Sequence, residues 1–343
     1  MTEPLRAEQT ALLFPTGGYH FAGMGADVDL TPHRALFDRT EATLAQLGVP
    51  ADALRTLMAG EGQARRNRTE RGWEWVGDFP LSMVAQMALG VVLARAFALA
   101  HGAPRVLVGE SMGELAAYCA AGALCLEDAT RLTWRWAKDL QAASDRLGLR
   151  MAVVEDLEED ELALFAPELQ ASVVVAEASC LFVVALPAKN LDALEEAVRT
   201  RGGHILVSNN PCVAHELRLG RDEPLWREHQ RFLAGMVFTP PSLPILSTLT
   251  PGRPLDDEAA LRLNRVDTTF QRVRWDQTVA GLPALGVRDL VLFGPPSSLY
   301  ALKKLRSQDE RLKGVRLHAV ASLAAVAALP NRLPVAPAQS EAR

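Results

Sequence analysis

The sequence predicts an α/β protein: a large subdomain built around one strand-turn-helix, interrupted by a small ferredoxin-like subdomain. Three observations carry this. Val106-Leu107-Val108 is a short apolar run that stops at Gly109, and Gly109-Glu110-Ser111-Met112-Gly113 then leads into helix-forming residues from Leu115 to Ala123. Short apolar strands and helical stretches follow one another on both sides of it. Between residues 149 and 208 the order becomes βαββαβ, the ferredoxin-like arrangement.

The G-x-S-x-G stretch is the centre of the reading. A sharp turn between strand and helix would hold Ser111 in a strained conformation with its hydroxyl exposed. The flanking glycines let the two elements approach without Cβ clashes. The free N–H groups of the helix N-terminus can stabilise a developing oxyanion. The plain alternative is an ordinary βα turn, since glycine and serine are common there.

The remaining elements are read in order. Ala11 to Phe14 is a strand, ended by the loop Pro15-Thr16-Gly17-Gly18. Pro32 to Leu47 is a helix, Gly60 to Glu74 an Arg-rich exposed loop, and Phe79 to Ala100 a long apolar helix. A helix begins at Leu126 with acidic residues in its first turn, as the helix dipole favours, and runs to about Leu147. The small subdomain comprises strands at Arg150–Val154, Ala171–Val175, Leu181–Leu186 and His204–Val207, with helices at Glu158–Leu164 and Asn190–Thr200. The larger one then resumes with a helix over Glu216–Ala234, broken at Pro224, and a strand over Pro244–Leu249. After these come a helix over Phe270–Leu282, a strand over Leu290–Phe293, a helix over Ser297–Leu305 and a strand over Val315–Ala319. The boundaries are therefore 9–148 with 209–329 for the large subdomain and 149–208 for the small one. A Pro- and Ala-rich tail, 330–343, is expected to be disordered.

Composition narrows the class. The 343 residues are 49% hydrophobic and 22% charged, ordinary for a soluble globular protein. A net charge of −5 gives no reason to expect nucleic acid or an anionic membrane as partner. Met83 to Ala100 comes nearest to a membrane span, but Gln86 and Arg95 interrupt it, so a buried helix is expected. Met1 to Thr10 lacks the apolar core of a signal peptide. The four cysteines, Cys119, Cys125, Cys180 and Cys212, show no metal-ligand spacing, and read as reduced thiols of a cytoplasmic protein. No metal and no bound cofactor are expected.

With these residues in view, the chain resembles the malonyl-CoA:acyl-carrier-protein acyltransferases and the acyltransferase domains of polyketide synthases, over roughly Ala11 to Leu329. Gly109 to Glu114 resembles that family's G-H-S-x-G-E, and Phe14 to Gly18 its opening F-P-G-Q-G. Phe238 to Ile245 resembles the stretch after its catalytic-histidine helix, Val273-Arg274-Trp275 its V-R/Q-W, and Gly294-Pro295 its late turn. The resemblance implies a serine-hydrolase-like α/β domain with a ferredoxin-like insert. It also implies a Ser-His dyad that takes an acyl group from a coenzyme A or phosphopantetheine thioester and gives it to an acyl carrier protein. The oxyanion would lie on the backbone N–H groups of Met112 and Gly17.

A serine hydroxyl needs a neighbouring base at neutral pH. The family puts its base soon after the small subdomain, before the helix that leads to Phe238; His20, His33, His101, His204 and His318 lie elsewhere in the chain, and His229 lies within that helix. His215 lies there. Reading forward from Val207 without gaps puts Cys212 in the slot, and counting back from Phe238 puts it near Arg218. His215 is the only imidazole between these two slots, with Glu216 and Asn210 as candidates to orient it. The bland alternative is a helix-cap histidine at the surface.

The departures from the family speak to specificity. Its histidine before the nucleophile is Glu110 here. Its carboxylate-gripping arginine corresponds to Trp136, and the adjacent Arg135 should face elsewhere, since one helical step turns a side chain by about 100°. Phe79 stands where it has an early glutamine, and Gly17 where its opening motif has another. Glu110, Trp136, Phe79 and Arg135 are therefore the candidate substrate-binding residues. A malonyl carboxylate would be buried there without a bidentate partner, so a neutral acyl group is expected. The alternatives are a core role for Trp136, hydrolysis in place of transfer, and a non-catalytic carrier-protein-binding protein.

Overall fold

Strands that are apolar and buried at every position need helices on both faces of their sheet. Thr10 to Phe14 and Val106 to Gly109 are buried throughout, and they sit side by side in such a sheet. The computed structural model describes residues 4–17, 24–25, 27–28, 33–59, 65–69, 72–76, 78–209 and 211–330. In chain order it has β1 (Thr10–Phe14), α1 (Arg34–Gln46), α2 (Ala53–Ala59), β2 (Arg65–Thr69), β3 (Gly72–Val76), α3 (Phe79–His101), β4 (Val106–Gly109), α4 (Gly113–Ala120) and α5 (Leu126–Leu147). The small subdomain follows: β5 (Leu149–Glu155), α6 (Glu159–Ala163), β6 (Ser172–Ala178), β7 (Leu181–Pro187), α7 (Leu191–Arg199) and β8 (His204–Asn209). Then come α8 (Glu223–Ala234), β9 (Ile245–Leu246), α9 (Glu258–Thr268), β10 (Val273–Arg274), α10 (Trp275–Gly281), β11 (Asp289–Leu292), α11 (Leu299–Gln308), β12 (Arg316–Ala319) and α12 (Leu323–Ala327).

The large sheet runs β12-β11-β1-β4-β9, with every neighbouring pair parallel. Phe14 pairs with Gly109, so the loops after β1 and β4 leave the same edge, the carboxyl end where open α/β sheets bind ligands. Helix α3 is buried along most of its length and packs against α5, α4 and α12. By length and composition it could cross a bilayer, but 67% of its most apolar window is buried within the fold.

The second sheet runs β10-β6-β7-β5-β8-β3-β2. Its four middle strands are antiparallel in the ferredoxin-like order, as the sequence predicts. Ala152, Val154, Leu162, Phe182, Leu194 and Val198 form a separate small core under α6 and α7. The sheet also draws strands from outside 149–208: β10 joins β6 in parallel, and β3 joins β8 in parallel with β2 beyond it.

That hairpin corrects the expected loop over Gly60 to Glu74. Gly72-Trp-Glu-Trp-Val76 alternates apolar and polar residues as a strand does, a signal hidden by the arginines around it. Other differences are smaller. Strand β9 is two residues long, and the helix expected from Phe270 starts only at Trp275, after β10. The helix expected from Glu216 is a 3₁₀ turn over Leu217–Arg221 followed by α8. Asp222 caps α8 by accepting from Leu225 N at 3.0 Å, with Pro224 in the first turn where a missing N–H is harmless. Helix α9 was not foreseen, although Asp257 accepts from Ala260 N at 2.7 Å as an N-cap. Gly18, His20, Pro32, Asn210 and the tail beyond Pro330 lie outside the described residues.

Candidate active site

The elbow is built from glycines that nothing larger could replace. A Cβ on Gly109 would sit 2.3 Å from the backbone of Glu114, and one on Gly113 would sit 2.1 Å from the carbonyl oxygen of Phe14. The turn closes through Gly113 N to Glu110 O at 2.8 Å and Glu114 N to Ser111 O at 3.2 Å. Ser111 is thereby held at φ +54°, a left-handed conformation that a side chain rarely takes. It is 6% exposed.

His215 is the residue the fold brings to it. Its Nε2 lies 2.7 Å from Ser111 Oγ. Its Nδ1 donates to the carbonyl of Thr268, and its own N–H donates to the carbonyl of Thr269 at 2.9 Å. Both acceptors belong to the end of α9, where helix carbonyls lack intrahelical partners. A carbonyl only accepts, so the proton of a neutral imidazole stays on Nδ1 and Nε2 is free to receive the serine proton. His215 too has a left-handed backbone, φ +61°. Burial, more than the nearby Arg265 cation, pushes its pKa down to about 4, so it is a neutral base across the physiological range.

Neither register alternative stands at the serine. Cys212 is buried, and burial lifts its thiol to about 12. Arg218 pairs with Glu216 at 2.9 Å. Glu216 also bonds Ser172, so it does not orient His215; the Thr268 carbonyl does. Among the other histidines, His101 bonds Val326 O at 3.1 Å, His318 bonds Asp289 at 2.9 Å, and His204 is exposed.

Next to Ser111, Met112 is the N-cap residue of α4, and its amide donates to no backbone carbonyl among the described residues. The Pro15–Gly17 loop is tied to α3 by Gln86, whose amide donates to Pro15 O at 3.2 Å and also to Thr16 O. The glutamine that interrupts the apolar helix thus fixes the loop beside Ser111.

The expected substrate residues separate. Glu110 is buried, and burial, with Glu177 as the second cause, holds its carboxyl well above the ordinary range. The protonated form is therefore favoured, and Glu110 adds no fixed negative charge beside Ser111. Glu177 is itself pushed up to about 7 by burial and Glu155. Trp136 is buried and donates to Thr269 Oγ1 at 3.0 Å. Phe79 is buried in the first turn of α3. Arg135 faces elsewhere, as one helical step from Trp136 predicts, and so drops from the candidate substrate residues: it lies at the surface, paired with Asp139 at 3.1 Å and Glu228 at 2.6 Å and turned onto Phe232.

Sequence reasoning missed Arg265, because it missed α9. This arginine is fully buried, with its guanidinium carbon 4.4 Å from the centre of the Trp136 ring. Its Nη1 lies 3.3 Å from Glu114 Oε2, while Nε and Nη2 have no hydrogen-bond partner among the described residues. Burial pushes Glu114 up to about 7 despite that pairing.

No family model matches the chain. It is 30% identical over 237 residues to the polyketide biosynthesis protein ThaF of Burkholderia thailandensis, covering 67% of this chain and 20% of that protein. Solved structures match nearly its whole length. The malonyl CoA-acyl carrier protein transacylase of Coxiella burnetii superposes with a TM-score of 0.78 at 18% identity, over 94% of this chain and 96% of that one. A malonyl-transacylase solved with its type II polyketide synthase acyl-carrier protein gives a TM-score of 0.77 at 22% identity, over 94% and 99%. The chain thus has the fold of the malonyl-CoA:acyl-carrier-protein transacylases, and in sequence it is similar to polyketide synthesis proteins, spanning a fifth or less of the length of the first of them.

Proposed function

We propose that this chain is an acyltransferase that carries an acyl group on Ser111 and delivers it to the phosphopantetheine thiol of an acyl carrier protein in polyketide- or fatty-acid-type synthesis. The observation that carries the reading is the 2.7 Å contact between Ser111 Oγ and a neutral, Nδ1-protonated His215. Ser111 attacks the thioester carbonyl as its proton passes to His215 Nε2. The oxyanion is received by the N–H groups of Met112 and Gly17. Collapse breaks the C–S bond, and the imidazolium returns the proton to the leaving thiolate. The carrier thiol then repeats the steps in reverse, giving its proton to His215 and regenerating Ser111. Coenzyme A or phosphopantetheine thioesters are substrates in this scheme and not resident cofactors.

The finer reading is a neutral acyl group. In the position of the family's carboxylate-gripping arginine is an indole whose one N–H is already engaged by Thr269. A carboxylate there would be buried without a bidentate partner, at a cost of several kcal/mol. A carboxylate-bearing acyl group is the second reading, favoured by one observation: the two unpartnered nitrogens of Arg265, across the Trp136 ring. One experiment addresses both levels. Ser111 is loaded from acetyl, longer saturated acyl and malonyl thioesters at equal concentration, and the adduct is followed by intact mass. Adduct is expected on the native protein and none on a folded Ser111→Ala variant; an adduct on that variant refutes the nucleophile. Malonyl is expected to load roughly 100-fold more slowly than the best neutral group. Malonyl loading faster than every neutral group gives the substrate to the second reading. Adding carrier protein to the acyl-enzyme then separates transfer from hydrolysis.

A further inference from the structure

Among the described residues, the base of this dyad has no carboxylate behind it. His215 is held by two consecutive backbone carbonyls, Thr268 O on Nδ1 and Thr269 O on its own amide. The position of the imidazole is therefore set by the last turn of α9. What holds that turn is on the nucleophile's own helix. Glu114 lies three residues after Ser111, and its N–H donates to Ser111 O at 3.2 Å. Its carboxylate gathers three residues of α9: Asn264 through Nδ2, Arg265 through Nη1 at 3.3 Å, and Thr268, whose Oγ1 lies 3.1 Å from Oε2 and shares its one hydrogen with Asn264 O at 2.7 Å. Asn264 is satisfied on both sides, donating also to Tyr118 OH at 3.1 Å and accepting from Ser247 Oγ at 2.5 Å. Glu114, Asn264, Arg265 and Thr268 are all buried.

We propose that Glu114 is a positioning residue for acyl transfer: from the turn that carries Ser111, it fixes the end of α9 and so the carbonyl that aims His215 at the serine. Nucleophile and base are then referenced to one turn of one helix, and their separation does not depend on the loop that carries His215. The inference rests on the reading of Ser111 and His215 as nucleophile and base.

The charges explain the choice of residue. Arg265 is fully buried and always ionised, so it requires an anion, and Glu114 is the carboxylate that meets it. An ionised Glu114 accepts from every α9 group that faces it. A protonated one gives up an acceptor site to its own hydrogen. The groups facing it are Asn264, Arg265 and Thr268 from α9 and Tyr118 from its own helix. With its pKa near 7, the arrangement should tighten as pH rises through neutrality, whereas His215, near 4, is already a neutral base there.

The test measures single-turnover acylation of Ser111 from acetyl thioester, against thioester concentration and pH, in the intact chain. E114Q alone leaves Arg265 uncompensated, so E114Q/R265M is made beside it, with T268V as a milder break in the same contact set. Folding of each is checked by circular dichroism. E114Q/R265M is expected to lose about 10- to 100-fold in the saturating rate because the base is misplaced, while the unchanged half-saturation concentration is read in T268V, which leaves Arg265 in place against Trp136. T268V should lose about 3- to 10-fold in the same way. The native rise in rate near pH 7 should be absent from E114Q/R265M. Glu177, also near 7, interacts with Glu110 and not with Glu114, so a rise that survives the substitution belongs to it. Saturating rates within about twofold of native in both E114Q/R265M and T268V, or the same pH profile in native and double variant, overturn the proposal. S111A and H215Q are run in parallel. Native-rate acylation of either would mean that the dyad reading itself has failed, which is a separate result.

Discussion

At the scale of single residues, the site is held together by conformations that the local sequence does not prefer. Ser111 and His215 both have left-handed backbones, and they face each other at 2.7 Å. Such strain persists only where surrounding structure over-determines it. Here the determinants are the two elbow glycines on one side and the Thr268 and Thr269 carbonyls on the other. A Ser111→Gly substitution should relieve the strain and raise unfolding stability by about 1 kcal/mol while abolishing the acyl adduct. Urea denaturation reads the first effect and intact mass the second. If Ser111→Gly proves less stable than Ser111→Ala, the left-handed turn is not under strain.

Among the elements, the strand-turn-helix of β4 and α4 was legible from its sequence because its requirements are local. Only glycine tolerates the approach of Gly113 to Phe14, and apolar residues must fill a strand covered on both faces. Gly113→Ala should therefore be costly, since its Cβ would lie 2.1 Å from a backbone oxygen that belongs to β1. A loss of about 3 kcal/mol or more in urea denaturation is expected, and a loss under about 1 kcal/mol would mean that β1 can yield there. His215 was legible only by its place in the chain order, because what selects it is a pair of consecutive carbonyls, Thr268 and Thr269, far along the chain. The role of α9 was not legible at all. Its helix signal is weak, and the arrangement of Asn264, Arg265 and Thr268 has meaning only against Glu114, about 150 residues earlier. The ferredoxin-like core was read from element order, but its outer strands were not. Strand β10 is two residues long, and β2 is rich in arginine, so neither has the composition of a sheet member.

For the whole molecule, buried titratable groups set a pH dependence of stability whose parts oppose one another. Burial first, and the Arg265 cation next, push His215 down to about 4 and His229 to about 3. Both imidazoles take protons more readily unfolded, so they destabilise the fold as pH falls below about 6.5. Burial raises Glu114 and Glu177 to about 7. These take protons more readily folded, so they favour the fold as pH falls from about 7 to 4.5. Between about pH 5 and 6.5 the two trends oppose, and Glu110, which burial also holds well above the ordinary range, adds to the carboxyl side. Below about 4.5 only the imidazoles remain, joined by carboxylates that pairing holds low, such as Asp222 beside Arg146. The urea midpoint should therefore hold or rise slightly as pH falls from 6.5 to 5 and fall steeply below 4.5, with a shallower fall in H229Q; a midpoint that rises below 4.5 contradicts this account. The parallel docking of β3 on β8 has a further consequence, for synthesis on the ribosome. The β2–β3 ribbon is made long before its partner, with about 130 residues between β3 and β8, and at 5–20 residues per second β3 waits on the order of ten seconds with one edge bare. During that interval the nascent chain offers an unpaired strand edge to any other strand within reach, and premature release would free it in its most aggregation-prone state.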